Sequence, residues 1–314
     1  MIKRLSLTLM LTGSLWAGAC AAEQTYDTKR VGDVVTKTVT VNAPSFQAPD
    51  SAWRDLDPAN MLYVDTDYGT LVVELFPEIA PLHVAQIKTL ADQRFYDHIT
   101  FHRVIDGFMN QTGDPKGDGT GDSDLPDIEP EFTFRRGPEM SFTMTGSQPV
   151  NAKNTTGPQI GVGFYKSLHI ASQPSSQAIL TKDGKVAAHG LHCKGVTSMA
   201  RSQKENSGNS QFFLLRGTSP WLDTQYSIWG TTVWGREHLT KFKVGTAGQD
   251  AGFVPDKMNK VRLGSDLPQA DRLNVQVLKT DSDAFKAYLT TLKKSDGSYP
   301  DVCDITVPSR VKTK

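Results

Sequence analysis

Residues 101–114 read FHRVIDGFMNQTGD, so an arginine at 103 and an amide at 111 stand among Phe101, Phe108 and Met109 just before the glycines of PKGDGTGD. A hydrophobic core has no use for the arginine, and a solvated loop has none for the aromatics. The mixture describes an apolar pocket with a few placed polar groups. Further along, NSQFFLLRGTSPWLD offers Gln211, Phe213 and Leu222 in the same blend. Taken together, Phe108, Met109, Phe213 and Leu222 would be walls, and Arg103, Gln111 and Gln211 the polar groups between them.

Other chemistries find less support. The glycines from Gly113 to Gly121 lack G-x-x-x-x-G-K-[ST], and the run before them does not open into a helix, which argues against a phosphate loop. Asp114, Asp118, Asp122 and Asp124 do not follow the alternating ligand spacing of an EF-hand. His189, His192 and Cys193 in HGLHC cluster without a second ligand set, so no metal is expected. Ser210 in GNSQFF lacks the final glycine of a nucleophile elbow.

Several elements must position these groups. LYVDTDYGTLVVELF places two β-rich runs around Asp67, Tyr68 and Gly69 and predicts a hairpin. IAPLHVAQIKTLADQRFYD predicts an amphipathic helix with Pro81 in its first turn and Val84, Ile87 and Leu90 on one face. FHRVIDGFMNQ follows as a β-like run and GDPKGDGTGD as a loop. GVTSMARSQKENSGNSQFFLLRG then repeats strand, polar loop and aromatic-rich strand. YSIWGTTVWG and LNVQVLKT read as further strands, REHLTKFKVG as a short helix and DAFKAYLTTLKK as a C-terminal helix within 281–314. Residues 122–197 are the least regular, although Asp183–Gly184 in SQAILTKDGKVAAHG predicts a second hairpin. Short strands with few helices and little βαβ alternation indicate a mainly β class.

Composition narrows the partners. The 314 residues are 38% hydrophobic with zero formal net charge, enough for a full core and unlike the basic footprint of a nucleic-acid binder. Lys3 and Arg4 precede an apolar run that ends in AGACAAEQ, the layout of a secretory signal peptide over 1–22. The run is too short for a stable membrane span. Cys20 stands where a lipobox cysteine would, leaving lipid anchoring open beside cleavage. Residues 23–58, with Pro44, Pro49 and Pro58, read as an extended arm or tether. After export, Cys193 and Cys303 remain as either a disulfide or two free thiols.

The ordered pieces FYDHITFHRVIDGFMNQTGDPKGDGTG, SMA, GNSQFF, WLD and the WG of YSIWG closely resemble the cyclophilin family of peptidyl-prolyl isomerases. The resemblance covers roughly residues 60–121 and 196–280. It implies a closed eight-stranded antiparallel β-barrel capped by two helices within residues 59–280, here carrying a large insert at 122–197. It also implies that Arg103 is the catalytic arginine and that Phe108, Met109, Phe213 and Leu222 receive the proline ring. Gln111 would bond the substrate backbone, Ala200 and Gln211 would line the groove, and Trp221 would stand at the rim. Arg201 occupies a groove position where asparagine is usual, and Tyr226 one where histidine is common. Asp106 replaces a typical proline, and Thr112 a glycine. Tyr226 could pack at the rim or touch substrate.

These residue types suit rotation about an X-Pro bond. Amide resonance sets a barrier of about 18–20 kcal/mol, and twisting localises a lone pair on the prolyl nitrogen. A donor aimed there stabilises the twisted state more than the planar one. The guanidinium of Arg103 carries a permanent charge in a rigid fork. No cofactor or metal enters. The sequence-based expectation is an exported, monomeric isomerase of proline-containing polypeptides in the bacterial periplasm or, through Cys20, on an envelope lipid. The rival is a proline-peptide binding module or chaperone with weak or no isomerase activity, which would need the pocket but not Arg103.

Overall fold

The computed structural model describes residues 24–31, 34–41, 47–150 and 157–312. The expected leader and Cys20 lie outside the described residues. The chain divides into two units, residues 1–47 and 48–314. In the first, β1 (Gln24–Val31) and β2 (Val34–Val41) form an antiparallel hairpin with Gln24 opposite Val41 and Val31 opposite Val34. The alternating β-branched residues of VVTKTVTV favour a paired strand there, so this part of the expected arm is paired rather than simply extended.

The second unit begins with β3 (Trp53–Asp55), β4 (Met61–Thr66), β5 (Gly69–Leu75), α1 (Pro81–Asp92), β6 (Arg103–Ile105) and β7 (Met109–Thr112). Then come β8 (Phe134–Arg136), β9 (Thr143–Pro149), β10 (Gln159–Tyr165), β11 (Leu168–Ser172) and β12 (Val186–Gly190). The chain continues through β13 (Val196–Met199), β14 (Phe212–Leu215), β15 (Ile228–Trp234), β16 (Gly245–Thr246) and β17 (Lys260–Leu263). It ends with β18 (Val275–Leu278), α2 (Asp283–Thr291) and β19 (Ser309–Val311).

The principal sheet is antiparallel and has nine strands in the order β16-β6-β7-β14-β13-β15-β5-β4-β17. It is not the closed eight-stranded barrel expected from the resemblance, because the two end strands do not join in a ladder. Instead, irregular backbone links the approaches to β6 and β17. Met258 O accepts from His98 N at 2.7 Å, Met258 N donates to Ile99 O at 2.9 Å, and Phe101 N donates to Asp256 O at 2.8 Å. Pro255 lies just before this stitch, and a residue without an N–H cannot carry a regular ladder through it.

Both faces of the sheet are buried, which explains the unbroken apolar run of β14. Phe212 and Leu214 point into one cluster with Leu62, Val73, Trp229 and the α1 residues Val84, Ile87 and Leu90. Phe213 and Leu215 point into another with Met109, Leu222 and Ile228. Pro81 occupies the first turn of α1, as its fixed φ favours. The second cap is not an α-helix: Arg236–Thr240 forms a 3-10 turn whose Leu239 enters the α1 cluster. The C-terminal α2 packs elsewhere, with Phe285 edge-on to Phe164 at 5.3 Å.

The insert folds as its own five-stranded sheet, in the order β8-β12-β11-β10-β9. Its Phe134, Tyr165, Leu168 and Ile170 join the cluster that holds Met109 and Phe213, so the insert's core is continuous with one face of the main sheet. The hairpin expected at Asp183–Gly184 does not form. Ser175–Leu180 is a 3-10 helix instead, and β12 pairs with β11 and β8. Ile179 and Leu180 face solvent at 89% and 83% exposure, so burial does not hold that run in a strand. A third sheet, β19-β18-β3, incorporates Trp53–Asp55, so the final part of the segment read as an arm belongs to the second unit.

Candidate active site

The segment FHRVIDGFMNQ is a hairpin rather than one run. It turns at Asp106–Phe108 with Gly107 at φ +66°, a conformation that side chains disfavour. The turn sets Arg103 opposite Gln111, and Gln111 opposite Phe213 on β14. Residues directly opposite in antiparallel strands share a face. Arg103, Gln111 and Phe213 therefore emerge side by side, with Met109 two residues along on that face.

A chain of hydrogen bonds fixes the polar groups. The glycine loop is organised by Asp114, whose carboxylate accepts from the backbone N–H of Lys116, Asp118 and Gly119 at 2.7, 3.0 and 2.5 Å. So held, the loop presents the carbonyl oxygens of Gly119 and Gly121 to Gln211 Nε2 at 3.2 and 2.8 Å. The Gln211 amide must then turn its oxygen outward, where Oε1 accepts from Gln111 Nε2 at 3.0 Å. Gln111 Oε1 in turn accepts from Arg103 Nη1 at 3.2 Å. Each amide orientation follows from the one before it, back to two backbone carbonyls. The guanidinium keeps further N–H groups, and Gln111 Nε2 keeps a second, for a ligand.

Apolar walls stand beside this chain. Met109, Phe213 and Leu222 are buried, with Phe108, Ala200 and Tyr226 partly buried against them. Phe108 and Trp221 approach at 5.7 Å between ring centroids, and Trp221 is 63% exposed. Tyr226 stands edge-on to Phe213 at 5.7 Å. The result is a shallow apolar seat open to solvent, bordered by the arginine and two oriented amides.

The residues that depart from the family's usual types have local explanations. Arg201 places its guanidinium 4.7 Å from the Tyr226 ring centroid and donates through Nε and Nη2 to Gln225 O at 3.1 and 3.0 Å. It also lies 5.7 Å from the ring of Phe132, an insert residue that the sequence reading missed. Asp106 accepts from buried Arg216 Nη2 at 2.9 Å, tying the hairpin turn down. Thr112, fully buried, donates to Thr100 O at 2.9 Å. His102 is buried beside Arg103 with both ring nitrogens unpartnered. Burial pushes its pKa down and the Arg103 charge adds to this, while Asp114 opposes it.

The sequence reading also missed the roles of the Gly119 and Gly121 carbonyls. Asp114 at the head of a glycine run is a signal for a carboxylate-nucleated loop. Two of the three candidate ligands in HGLHC have other partners. His192 bonds Asp223 and Ser198. Cys193 and Cys303 are joined by a disulfide across 110 positions of sequence.

A family model described as "Cyclophilin type peptidyl-prolyl cis-trans isomerase/CLD" matches residues 61–263. The chain belongs to the cyclophilin family. Among curated cyclophilin relatives, a probable peptidyl-prolyl cis-trans isomerase of Brucella suis is 32% identical over 211 residues, covering 67% of this chain and 85% of its own. Peptidyl-prolyl cis-trans isomerase-like 1 of Aspergillus fumigatus is 29% identical over 166 residues, covering 53% of this chain and 71% of its own. The crystal structure of cyclophilin AquaCyp293 from Hirschia baltica superimposes with a TM-score of 0.72 at 34% identity, covering 82% of this chain and 93% of that one. That similarity extends well beyond the stretch matched by the family model. Cyclophilins bind proline-containing peptides, and the seat between Phe108, Phe213 and Leu222 has the apolar character that a proline ring requires.

Proposed function

We propose that this cyclophilin accelerates X-Pro rotation in exported polypeptides and assists their folding in the cell envelope, acting as a monomer. The observation that carries the catalytic reading is the hydrogen-bonded chain from Gly121 through Gln211 and Gln111 to Arg103, which aims a charged donor along the edge of an apolar seat. Phe108, Met109, Phe213 and Leu222 hold the proline ring, and Trp221 and Ala200 border it. Gln111 anchors the substrate backbone through its free N–H, so that rotation is confined to one side of the bond. Tyr226 and Arg201 shape the groove at its insert side.

As the bond twists, the prolyl nitrogen loses conjugation and becomes an acceptor, which the guanidinium meets. A charge-assisted hydrogen bond contributes about 1.5–3 kcal/mol, or roughly ten- to hundredfold in rate. The remaining acceleration comes from immobilising the ring and chain. Isomerisation of an Ala-Pro peptide at low temperature is therefore expected to lose about ten- to hundredfold in Arg103→Ala, mainly in kcat. A folded native protein with no rate above the spontaneous one would leave only the binding-module reading.

Export rests on the Lys3, Arg4 and apolar leader, and is supported by the Cys193–Cys303 disulfide, since such bonds persist in oxidising compartments. We place the protein in the periplasm, with a lipid anchor on Cys20 as the alternative. Fractionation of expressing cells, followed by intact mass of the recovered chain, separates cleavage after Ala21 or Ala22 from acylation at Cys20. Recovery in the cytosol with the leader intact would sink both.

A further inference from the structure

The side chains of Ser198, His192 and Asp223 form a hydrogen-bonded line outside the seat. His192 Nδ1 lies 2.8 Å from Asp223 Oδ1, and Ser198 Oγ lies 3.1 Å from His192 Nε2. The carboxylate can only accept, so Nδ1 carries the proton that faces it, and Nε2 is the atom left to bond the serine hydroxyl. The arrangement has the order of a hydrolytic triad, yet Ser198 is fully buried and no substrate carbonyl could reach it. Its use must lie elsewhere.

The line ends on the turn that carries two seat residues. Pro220–Leu222 is a single 3-10 turn bearing Trp221 and Leu222, and Asp223 closes it. His192 holds that turn at both ends through its backbone as well, with His192 O accepting from Ser219 N at 2.8 Å and His192 N donating to Asp223 Oδ1 at 2.8 Å. Pro220 and Asp223 also border a half-open pocket shared with Leu191, His192, Val302 and Cys303. Leu222 is buried in the apolar cluster while Trp221 is exposed, so these bonds hold the end of the turn that Trp221 leaves unpacked. Ser198, at the other end, lies two residues before Ala200 and directly opposite Phe213. The line thus runs alongside the seat, from its β13 side to its Trp221 side.

We propose that His192 is a positioning residue for the isomerase: bonded to Asp223 and Ser198, it sets the distance between the Trp221–Leu222 turn and the Phe213 wall, and so the grip on the proline ring. This inference rests on the isomerase reading, and the two fail separately. Absence of catalysis by the native protein removes the reading, whereas normal peptide binding by a His192 variant removes only the inference.

The test is peptide isomerisation by the full oxidised protein and by His192→Ala and His192→Asn. The alanine variant should raise KM by about five- to tenfold with kcat changed less than about twofold, the signature of lost uniform binding. Asparagine, whose amide can restore the donor to Asp223, should recover most of that loss. If His192 acts by placing Trp221, then adding Trp221→Ala to His192→Ala should change KM much less than Trp221→Ala does alone. A folded His192→Ala with unchanged KM, or full additivity with Trp221→Ala, overturns the proposal. Should His192→Ala not fold, Asp223→Ala removes the same bond from its more exposed end and is read in the same way. Failure of both to fold would make the line a determinant of the fold and overturn its assignment to the seat.

Discussion

Arg103 and Gln111 have chemistry that residue type alone discloses, but their partnership depends on a turn. The sequence shows an arginine and an amide eight positions apart, and only the reversal at Gly107 brings them onto one face with Nη1 3.2 Å from Oε1. Gln211 is a sharper case. The resemblance implies a groove contact for it, whereas its geometry makes it the link between a glycine loop and the Arg103 guanidinium. Replacing it by leucine in Gln211→Leu would leave the Gln111 amide free to flip and the guanidinium less directed. With a neutral hydrogen bond near ~1 kcal/mol, kcat/KM for an Ala-Pro peptide should fall about fivefold with little change in melting temperature. An unchanged rate would show that Arg103 is oriented without the relay. The Gly119 and Gly121 carbonyls escaped the sequence reading because backbone atoms leave no signature in residue type.

At the scale of elements, periodicity and turn chemistry identified the pieces that stand on their own neighbours. The hairpin of β4 and β5 around Asp67 and Tyr68, and α1 beginning at Pro81, were legible because local pattern and tertiary burial agree there. Asp183–Gly184 misled because β12 pairs with the preceding strand β11 and with distant β8, while SQAIL in the connection between β11 and β12 coils into the exposed 3-10 helix. The insert strand β11 also carries a titration that no sequence pattern indicates. His169 donates through Nε2 to Ile305 O at 2.7 Å, and its buried Nδ1 has no partner. Burial pushes its pKa down from 6.5 to about 4, the Ile305 bond opposing this weakly. The folded state thus excludes a proton that the unfolded chain accepts. The associated stability is complete above the unfolded value and is lost as the pH falls from about 6.5 towards 4, at most about 3 kcal/mol. Urea midpoints at pH 7 and pH 4.5 should fall less steeply for His169→Gln than for the native protein. Equal slopes would place the acid sensitivity in other groups.

On the scale of the whole molecule, class and family were readable because FHRVI, GFM, NSQFF and WLD occur in order, while sheet closure was not. The stitch between residues 98–101 and 256–258 follows Pro255 and has no strand pattern to announce it. The Cys193–Cys303 bond joins the root of the insert to the C-terminal segment over 110 positions. By loop-closure entropy a link of that span contributes about 4–5 kcal/mol. Cys303→Ser should therefore lower the melting temperature markedly, and a reductant should move the native protein to the same value while leaving the variant unchanged. The same bond divides the seat in covalent terms. Residues 193–303 form a ring that contains Ala200, Gln211, Phe213, Trp221, Leu222 and Tyr226, whereas Arg103, Phe108, Met109 and Gln111 lie on the chain outside it. A protease cutting at the exposed Lys204 would open the ring without severing the molecule. The nicked chain should run as one species on a non-reducing gel and as two after reduction, so a cut on one side of the groove need not release either half of the site.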